Sequence, residues 1–362
     1  MWLLQAVFII IVPLCFAQTL TNNNYVYTRF NLVLFFIVLS VVAGLRISSP
    51  DYENYFTYFN LLSGGADFKE INIVAPDPVF AYINYGLSYL WKDPVVLFMT
   101  FSILSVGLNL KCFKDYSPYF FLCILMYVSH TYVAREMMQI RAGLSCAICL
   151  YSIRYILQRK ILIFALLILL ASSIHLGAII FSCSYFIGNL NSSKKKIILI
   201  LLASFCVAVI FPLGAVLKSL PNIDALSRVQ YYSNSTYGVS SGVFNNLVII
   251  KGLVIIALML SYHEELCKCS KYYLVSFNLY VFSVVWYLLW NDFEIVAARI
   301  ATFFSITEVL LLSYIPLLAK NKINKILCTI GIVLIAAIIF SLNQITGKWD
   351  DVILPFYDFW EY

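Results

Sequence analysis

Charge is scarce in this 362-residue chain: Asp, Glu, Lys and Arg make up 12% of it, about half the share usual in soluble domains. No polar stretch is long enough for a separate soluble domain, and no soluble-type repeat, low-complexity tract or helical heptad array is present. A phosphate-cradling Gly-x-x-x-x-Gly-Lys loop and a His-Glu-x-x-His zinc motif are both missing. The net charge of +6 does not point to nucleic acid, because no basic, aromatic-studded soluble surface exists to bind it. Histidine occurs three times, so few imidazoles are on hand for proton transfer. Ten cysteines are present, but they sit in apolar runs or in the lysine-bearing loops, so no disulfide framework is implied. Cys146-x-x-Cys149 looks like half a zinc site, yet it lies in an apolar helix without a second pair and reads as packing.

What the chain has in abundance is apolar sequence, 62% of the whole against roughly half in soluble domains. Apolar runs recur at 2–17, 30–45, 94–110, 118–134, 142–157, 161–190, 197–217, 247–262, 272–290, 300–319 and 326–342. Several fall short of the ~20 residues that a perpendicular span needs, so their helices extend into the flanks. Trp and Tyr near many run ends suit interfacial anchoring. The first run lacks a positive n-region and has a poor cleavage site at Ala17-Gln18, so it is read as a span and not as a signal peptide. The expectation is an all-α polytopic integral membrane protein of about 11–12 transmembrane or half-spanning helices.

Lysines set the orientation. Lys111/Lys114, Arg154/Arg159/Lys160, Lys194/Lys195/Lys196, Lys268/Lys271 and Lys320/Lys322/Lys325 are expected in the cytoplasm, where the positive-inside rule sends basic residues. Most neighbouring clusters are separated by two runs, as a common side requires. Between Lys160 and Lys194 there is one run only. It is predicted to break and turn back at Ala171-Ser172-Ser173-Ile174-His175, like the broken helices that line membrane binding sites. A single long tilted helix is the alternative.

On this topology Arg46, Arg135, Arg141, Arg228 and Arg299 fall on the opposite face, against the rule. Such arginines need a local reason, and a bound anion supplies one, because a planar guanidinium grips phosphate with a two-pronged fork. The same face holds the outer loops 46–93 and 218–246 of what is read as one integral membrane domain, 1–362. The first loop is acidic and aromatic, with Asp51, Glu53, Asp67, Glu70 and Asp77 among Tyr52, Tyr55, Phe56, Tyr58 and Phe59. The second carries Tyr231, Tyr232, Asn234 and Tyr237. Aromatic faces beside carboxylates and amides commonly hold sugars, although belt residues account for part of the pattern. Asp51-x-Glu53 is a weak metal-type pair for which a solvated turn is the simpler reading. Glu308 lies inside an apolar run and must find a partner there, either as a functional group or as a hydrogen-bonded neutral acid.

An ordered set of short elements resembles the EpsG-type, Wzy-like polymerases of bacterial O-antigen, capsule and exopolysaccharide synthesis. Arg46 ends a span and is followed by Asp51-Tyr52-x-x-Tyr55, like the family's Asp-Tyr-x-x-Tyr. Asp77-Pro78-Val79-Phe80 follows, with Asp where the family has Glu. Ile140-Arg141-Ala142-Gly143-Leu144-Ser145 resembles its Ile-Arg-x-x-Leu-Ala element, with Ser145 in the last place. Ser173-Ile174-His175-Leu176 resembles its Phe-His segment, and Val229-Gln230-Tyr231-Tyr232 and Arg299-Ile300-Ala301-Thr302-Phe303-Phe304 its later Tyr and Arg elements.

The resemblance implies a glycosyltransferase-C-like helical bundle in the bacterial cytoplasmic (inner) membrane that joins undecaprenyl-diphosphate-linked glycans at the outer face. The growing chain is the donor and a single repeat unit the acceptor; membrane lipid and a chain-length regulator protein are the other expected partners, with no nucleic acid and no cofactor. The residues fit this chemistry. Negative charge gathers on the leaving diphosphate, and preorganised cations stabilise it best. With no credible metal cage, Arg46, Arg135, Arg141, Arg228 and Arg299 are the candidates, in a metal-independent reaction. His175 is the candidate general base, since imidazole titrates near ambient pH, and Asp51 is the second choice. Tyr52, Tyr55, Tyr231 and Tyr232 are the candidate glycan contacts. Two other readings share the diphosphate arginines: a lipid-linked glycan flippase or transporter, and an O-antigen ligase. A transporter should show corresponding halves, which this sequence does not.

Overall fold

The computed structural model describes residues 2–21, 25–65, 77–211, 213–214, 242–347 and 349–354. Its helices in chain order are α1 (Trp2–Thr21), α2 (Tyr25–Gly44), α3 (Tyr52–Ser63), α4 (Pro78–Leu90), α5 (Val95–Tyr116), α6 (Phe120–Met126), α7 (Ile140–Leu157), α8 (Ile161–Ile174), α9 (Ser184–Ile187), α10 (Lys194–Ile210), α11 (Leu247–Ser261), α12 (His263–Cys269), α13 (Lys271–Leu289), α14 (Glu294–Ser305), α15 (Glu308–Leu311) and α16 (Lys322–Ile345). Two π-helical turns, Tyr127–Thr131 and Val133–Met138, follow α6, and 3-10 helices run over Leu176–Cys183 and Leu312–Leu318. Five helices, α1, α5, α7, α13 and α16, are long and apolar enough to cross a membrane. The bent pairs α11–α12 and Glu294–Ser305 with Glu308–Leu318, at 76° and 41°, raise that number to seven. Shorter apolar helices cover Arg29–Gly44, Phe120–Thr131, Ile161–Ile174 and Leu176–Ile187. The protein is an all-α polytopic membrane protein, as a chain this apolar must be if its backbone polar groups are to be satisfied in lipid.

Two features differ from expectation. The stretch 46–93, read as a loop, contains α3 and α4. The cause is a helical period hidden among its acidic and aromatic residues: Tyr55, Tyr58, Phe59 and Leu62 form one buried face of α3, and Pro78 starts α4, where a missing N–H costs nothing. The interval between Arg135 and Arg141, both expected on the outer face, is partly helical: Ser129 and Thr131 donate back to the carbonyls of Leu125 and Tyr127, and the chain stays in π form to Met138.

The chain forms two compact units. The first comprises Met1–Arg154, Leu162–Ile179 and Leu312–Tyr362. Within it α2 packs along α5, and Tyr132 donates to the Leu39 carbonyl. The 24 residues of α16 rise about 36 Å, so its far end lies across the bilayer from Lys322. Just beyond that end Ile353 forms an isolated bridge with Ser48: Ile47 N–H donates to Ile353 O at 2.9 Å and Ile353 N–H to Ser48 O at 3.2 Å. The start of the 46–93 stretch is therefore expected on the face opposite Lys322. Cysteines introduced at 51–65 are expected to react with an impermeant thiol reagent from outside the cell, and those at 320–325 only after permeabilisation. Labelling of both groups from one side would refute this topology.

The second unit comprises Tyr155–Ile161 and Ile180–Leu311. It holds Glu308, which has its partners: Lys251 of α11 approaches the two carboxylate oxygens at 3.0 and 2.9 Å, and Tyr280 of α13 donates to Oε2 at 3.0 Å. The helix breaks at Ile306-Thr307, just before this acid. Removing one partner from a buried ion pair costs about 3–5 kcal/mol through the stranded charge, so the trio fixes the bend.

Candidate functional site

At His175 the chain changes from α to 3-10 helix, within the segment where the sequence places a break; the pairs bent by more than 40° among the described residues lie elsewhere, so the turn back expected here is not among them. Ser172 and Ser173 each donate back to a carbonyl of α8, at 2.6 and 2.7 Å, which loosens the last turn. His175 N–H still donates to Ala171 O at 2.9 Å, and Ala178 N–H donates to His175 O at 2.9 Å. An α-helix thus ends and a 3-10 helix begins on this one half-buried residue. Ser145 of α7, fully buried, donates to the same Ala171 carbonyl at 2.9 Å.

The next amide, Leu176 N–H, is an orphan donor at a helix start. It donates to Asp77 Oδ1 at 3.1 Å. The other carboxylate oxygen, Oδ2, accepts from Arg141 Nη1 at 2.7 Å, within the range of a charge-assisted bond. Asp77 precedes Pro78 and is therefore extended (φ −116°, ψ 109°). Its side chain makes no cap bond to α4 and is available to these other elements. It is 3% exposed. Arg141, one turn along α7 from Ser145, is 28% exposed along its side chain. Its guanidinium lies 5.2 Å from the centre of the Phe80 ring and 5.7 Å from that of Tyr55. Among the described residues Arg141 Nε is buried without a hydrogen-bond partner, while the guanidinium as a whole is also engaged by the Tyr55 hydroxyl.

Arg46 is enclosed at 1% exposure. Its Nη1 donates to Ala43 O at 2.6 Å, its Nε to Ser49 Oγ at 3.5 Å, and its Cζ sits 4.3 Å from the centre of the Phe98 ring. Among the described residues Nη2 is buried without a hydrogen-bond partner. Burial lowers the guanidinium to about 10, which leaves it charged at neutral pH. Tyr52 stacks on Phe98 at 4.8 Å. Tyr55, 5% exposed, meets Phe80 and Phe98 edge-on. Burial raises both hydroxyls above the ordinary tyrosine range, and the Arg141 guanidinium beside Tyr55 works against that rise. Asp51 precedes α3, half-buried, and its charge acts on Tyr55 and Arg141. One unit thus gathers Arg46, Asp51, Tyr52, Tyr55, Asp77 and Arg141 with the break at His175.

Other expected site residues lie apart from this tie. Arg135 turns to Gln139, donating to Oε1 at 2.5 Å. Its carbonyl would stand 2.3 Å from a Cβ at position 143, which explains Gly143 in this element. Arg299 is exposed on α14, in the second unit. Arg228, Tyr231 and Tyr232 lie outside the described residues. Cys146 and Cys149 are buried free thiols of α7. Among the described residues no three His, Cys, Asp or Glu side chains gather as a metal cage.

Two acids carry more than their sequence context suggested. Asp77 stood out only as a departure from a motif. Glu136 is buried and accepts from Tyr127 OH at 2.6 Å and Asn109 Nδ2 at 3.1 Å, pinning the π-helical turn that precedes Arg141. The available signal was an acid beside Arg135 in an otherwise apolar stretch.

Comparison with known proteins adds three findings. The profile of the EpsG family matches residues 29–356. The amylovoran biosynthesis protein AmsC of Erwinia amylovora is 23% identical over 310 residues, which cover 84% of this chain and 81% of AmsC. No solved structure matches significantly.

Proposed function

The chain belongs to the EpsG family, and we propose that it is a polysaccharide repeat-unit polymerase working at the outer face of the bacterial cytoplasmic membrane. A hydroxyl of the lipid-linked repeat unit attacks the anomeric carbon of the growing glycan. The bond from that carbon to the diphosphate oxygen breaks, undecaprenyl diphosphate leaves, and the hydroxyl proton passes to His175, with Asp51 the second candidate base. Arg141 and Arg299 meet the charge that gathers on the diphosphate, which is the interaction that lowers such a barrier most. Arg46, Arg135 and Arg228 add positive potential, and Tyr52, Tyr55, Tyr231 and Tyr232 face the glycan. The chemistry is independent of a metal ion.

The observation that supports this reading most is the tie at Asp77. It joins a phosphate-gripping arginine to the helix break that bears the candidate base. A biosynthetic role also accords with AmsC, which is named for amylovoran biosynthesis. The test is deletion of the gene followed by gel analysis of the surface polysaccharide. Loss of the ladder with one capped repeat remaining is the expected result. A complete loss of capped repeat would instead assign the protein to flipping or ligation.

A further inference from the structure

We propose that Asp77 is a positioning residue that holds the diphosphate arginine and the base-bearing break in register; this rests on the polymerase reading above. One carboxylate serves two elements. Oδ2 takes one N–H of Arg141 at 2.7 Å, and a guanidinium has five such donors. The Tyr55 hydroxyl also engages this guanidinium, and its part-exposed remainder is what a diphosphate can meet. Oδ1 takes the amide of Leu176 at 3.1 Å, the residue directly after His175. An anionic oxygen is favourable at a helix start, where N–H dipoles point outward.

The break is held on its other side as well. Ser145 donates to the carbonyl of Ala171, which also receives the amide of His175. Arg141 and Ser145 lie four residues apart on α7, on one face of the helix. α7 therefore grips the break twice, once directly through Ser145 and once through Arg141 and Asp77. Such a joint matters because a misplacement of about 1 Å at a reacting centre can cost ~10²-fold in rate.

The variants separate the two contacts. Asp77→Ala removes both, and the arginine it leaves is part-exposed and can turn to water. Asp77→Asn keeps a carbonyl oxygen for Leu176 but turns a donor NH2 towards Arg141, so it removes that contact together with the charge. Asp77→Glu restores the carboxylate. The measurements use the full-length protein in nanodiscs: hydrogen exchange of the peptide containing Leu176, binding of undecaprenyl diphosphate, and turnover of lipid-linked repeat.

In Asp77→Ala, exchange at Leu176 should rise ~10-fold, as for loss of one hydrogen bond. Turnover should fall ~10²-fold, with diphosphate binding weakened far less. Asp77→Asn should keep the exchange protection and still lose turnover, and Asp77→Glu should recover turnover to within ~10-fold of the parent protein. Unchanged exchange at Leu176 in Asp77→Ala would overturn the proposal, as would a fall in binding as large as the fall in turnover. If the parent protein makes no polymer from lipid-linked repeat, the polymerase reading fails, while the exchange measurement still decides whether Asp77 holds the break.

Discussion

Arg141→Lys is expected to leave the protein in the membrane at near-normal level while cutting polymerisation by ~10²–10³-fold, the usual cost of losing one preorganised donor to a developing anion. Lysine keeps a positive charge beside Asp77, which is nearly enclosed, so the carboxylate is not stranded. What it lacks is the fork that presents parallel N–H groups to a phosphate. Arg141→Ala is the blunter variant. It strands the Asp77 charge, and breaking a buried pair costs about 3–5 kcal/mol, so lost protein and lost chemistry would coincide. Arg299 is exposed on α14, where water screens a charge and the cost of losing one is small. Arg299→Ala should therefore abolish the polysaccharide ladder with protein level intact, and Arg299→Lys should rescue it poorly. Near-normal ladders from both lysine variants would show that charge alone suffices, and would remove the diphosphate fork from the mechanism.

These arginines stand out in the sequence because the expected topology sets them against a rule. The positive-inside bias makes a basic residue on the outer face conspicuous without any knowledge of its neighbours. The apolar runs were legible for a related reason, since lipid admits little besides helices, and over the described residues each run coincides largely with a helix or a broken helix. The break at 171–175 could be read from charge counting and from two serines that compete with the helix for its carbonyls. The interruption at Ile306-Thr307 could not. It lies within a continuous apolar run, and its cause is tertiary: Lys251 and Tyr280, from two other helices, converge on Glu308.

Asp77 was illegible in the same way. Its partners stand 64 and 99 residues away, and nothing local marks a carboxylate that serves distant elements. Its freedom to do so does have a local cause, because the pre-proline position holds the backbone extended. The aromatic residues of 46–93 show the opposite failing. Their number suggested a sugar-facing surface, but a helical period turns Tyr55, Tyr58 and Phe59 inward and leaves Tyr52 the more accessible of the two candidate contacts.

Substituting His175 with alanine is expected to lower turnover by ~10²–10⁴-fold, the contribution of a general base, while binding of undecaprenyl diphosphate changes little. The structure makes this substitution interpretable. The break is held by the backbone amide and carbonyl of His175, by Ser145 on Ala171 and by Asp77 on Leu176. These bonds remain when the imidazole is removed, so the variant keeps the local fold. His175→Gln sharpens the result, since an amide can hydrogen-bond to the acceptor hydroxyl but cannot take its proton at neutral pH. It should be nearly as inactive as alanine. A Gln variant that polymerises normally would reassign His175 to structure and leave Asp51, which lies within electrostatic reach of Arg141, as the remaining candidate. If His175→Ala weakens lipid-diphosphate binding as much as it slows turnover, the imidazole is a substrate contact, and the proton must leave by another route.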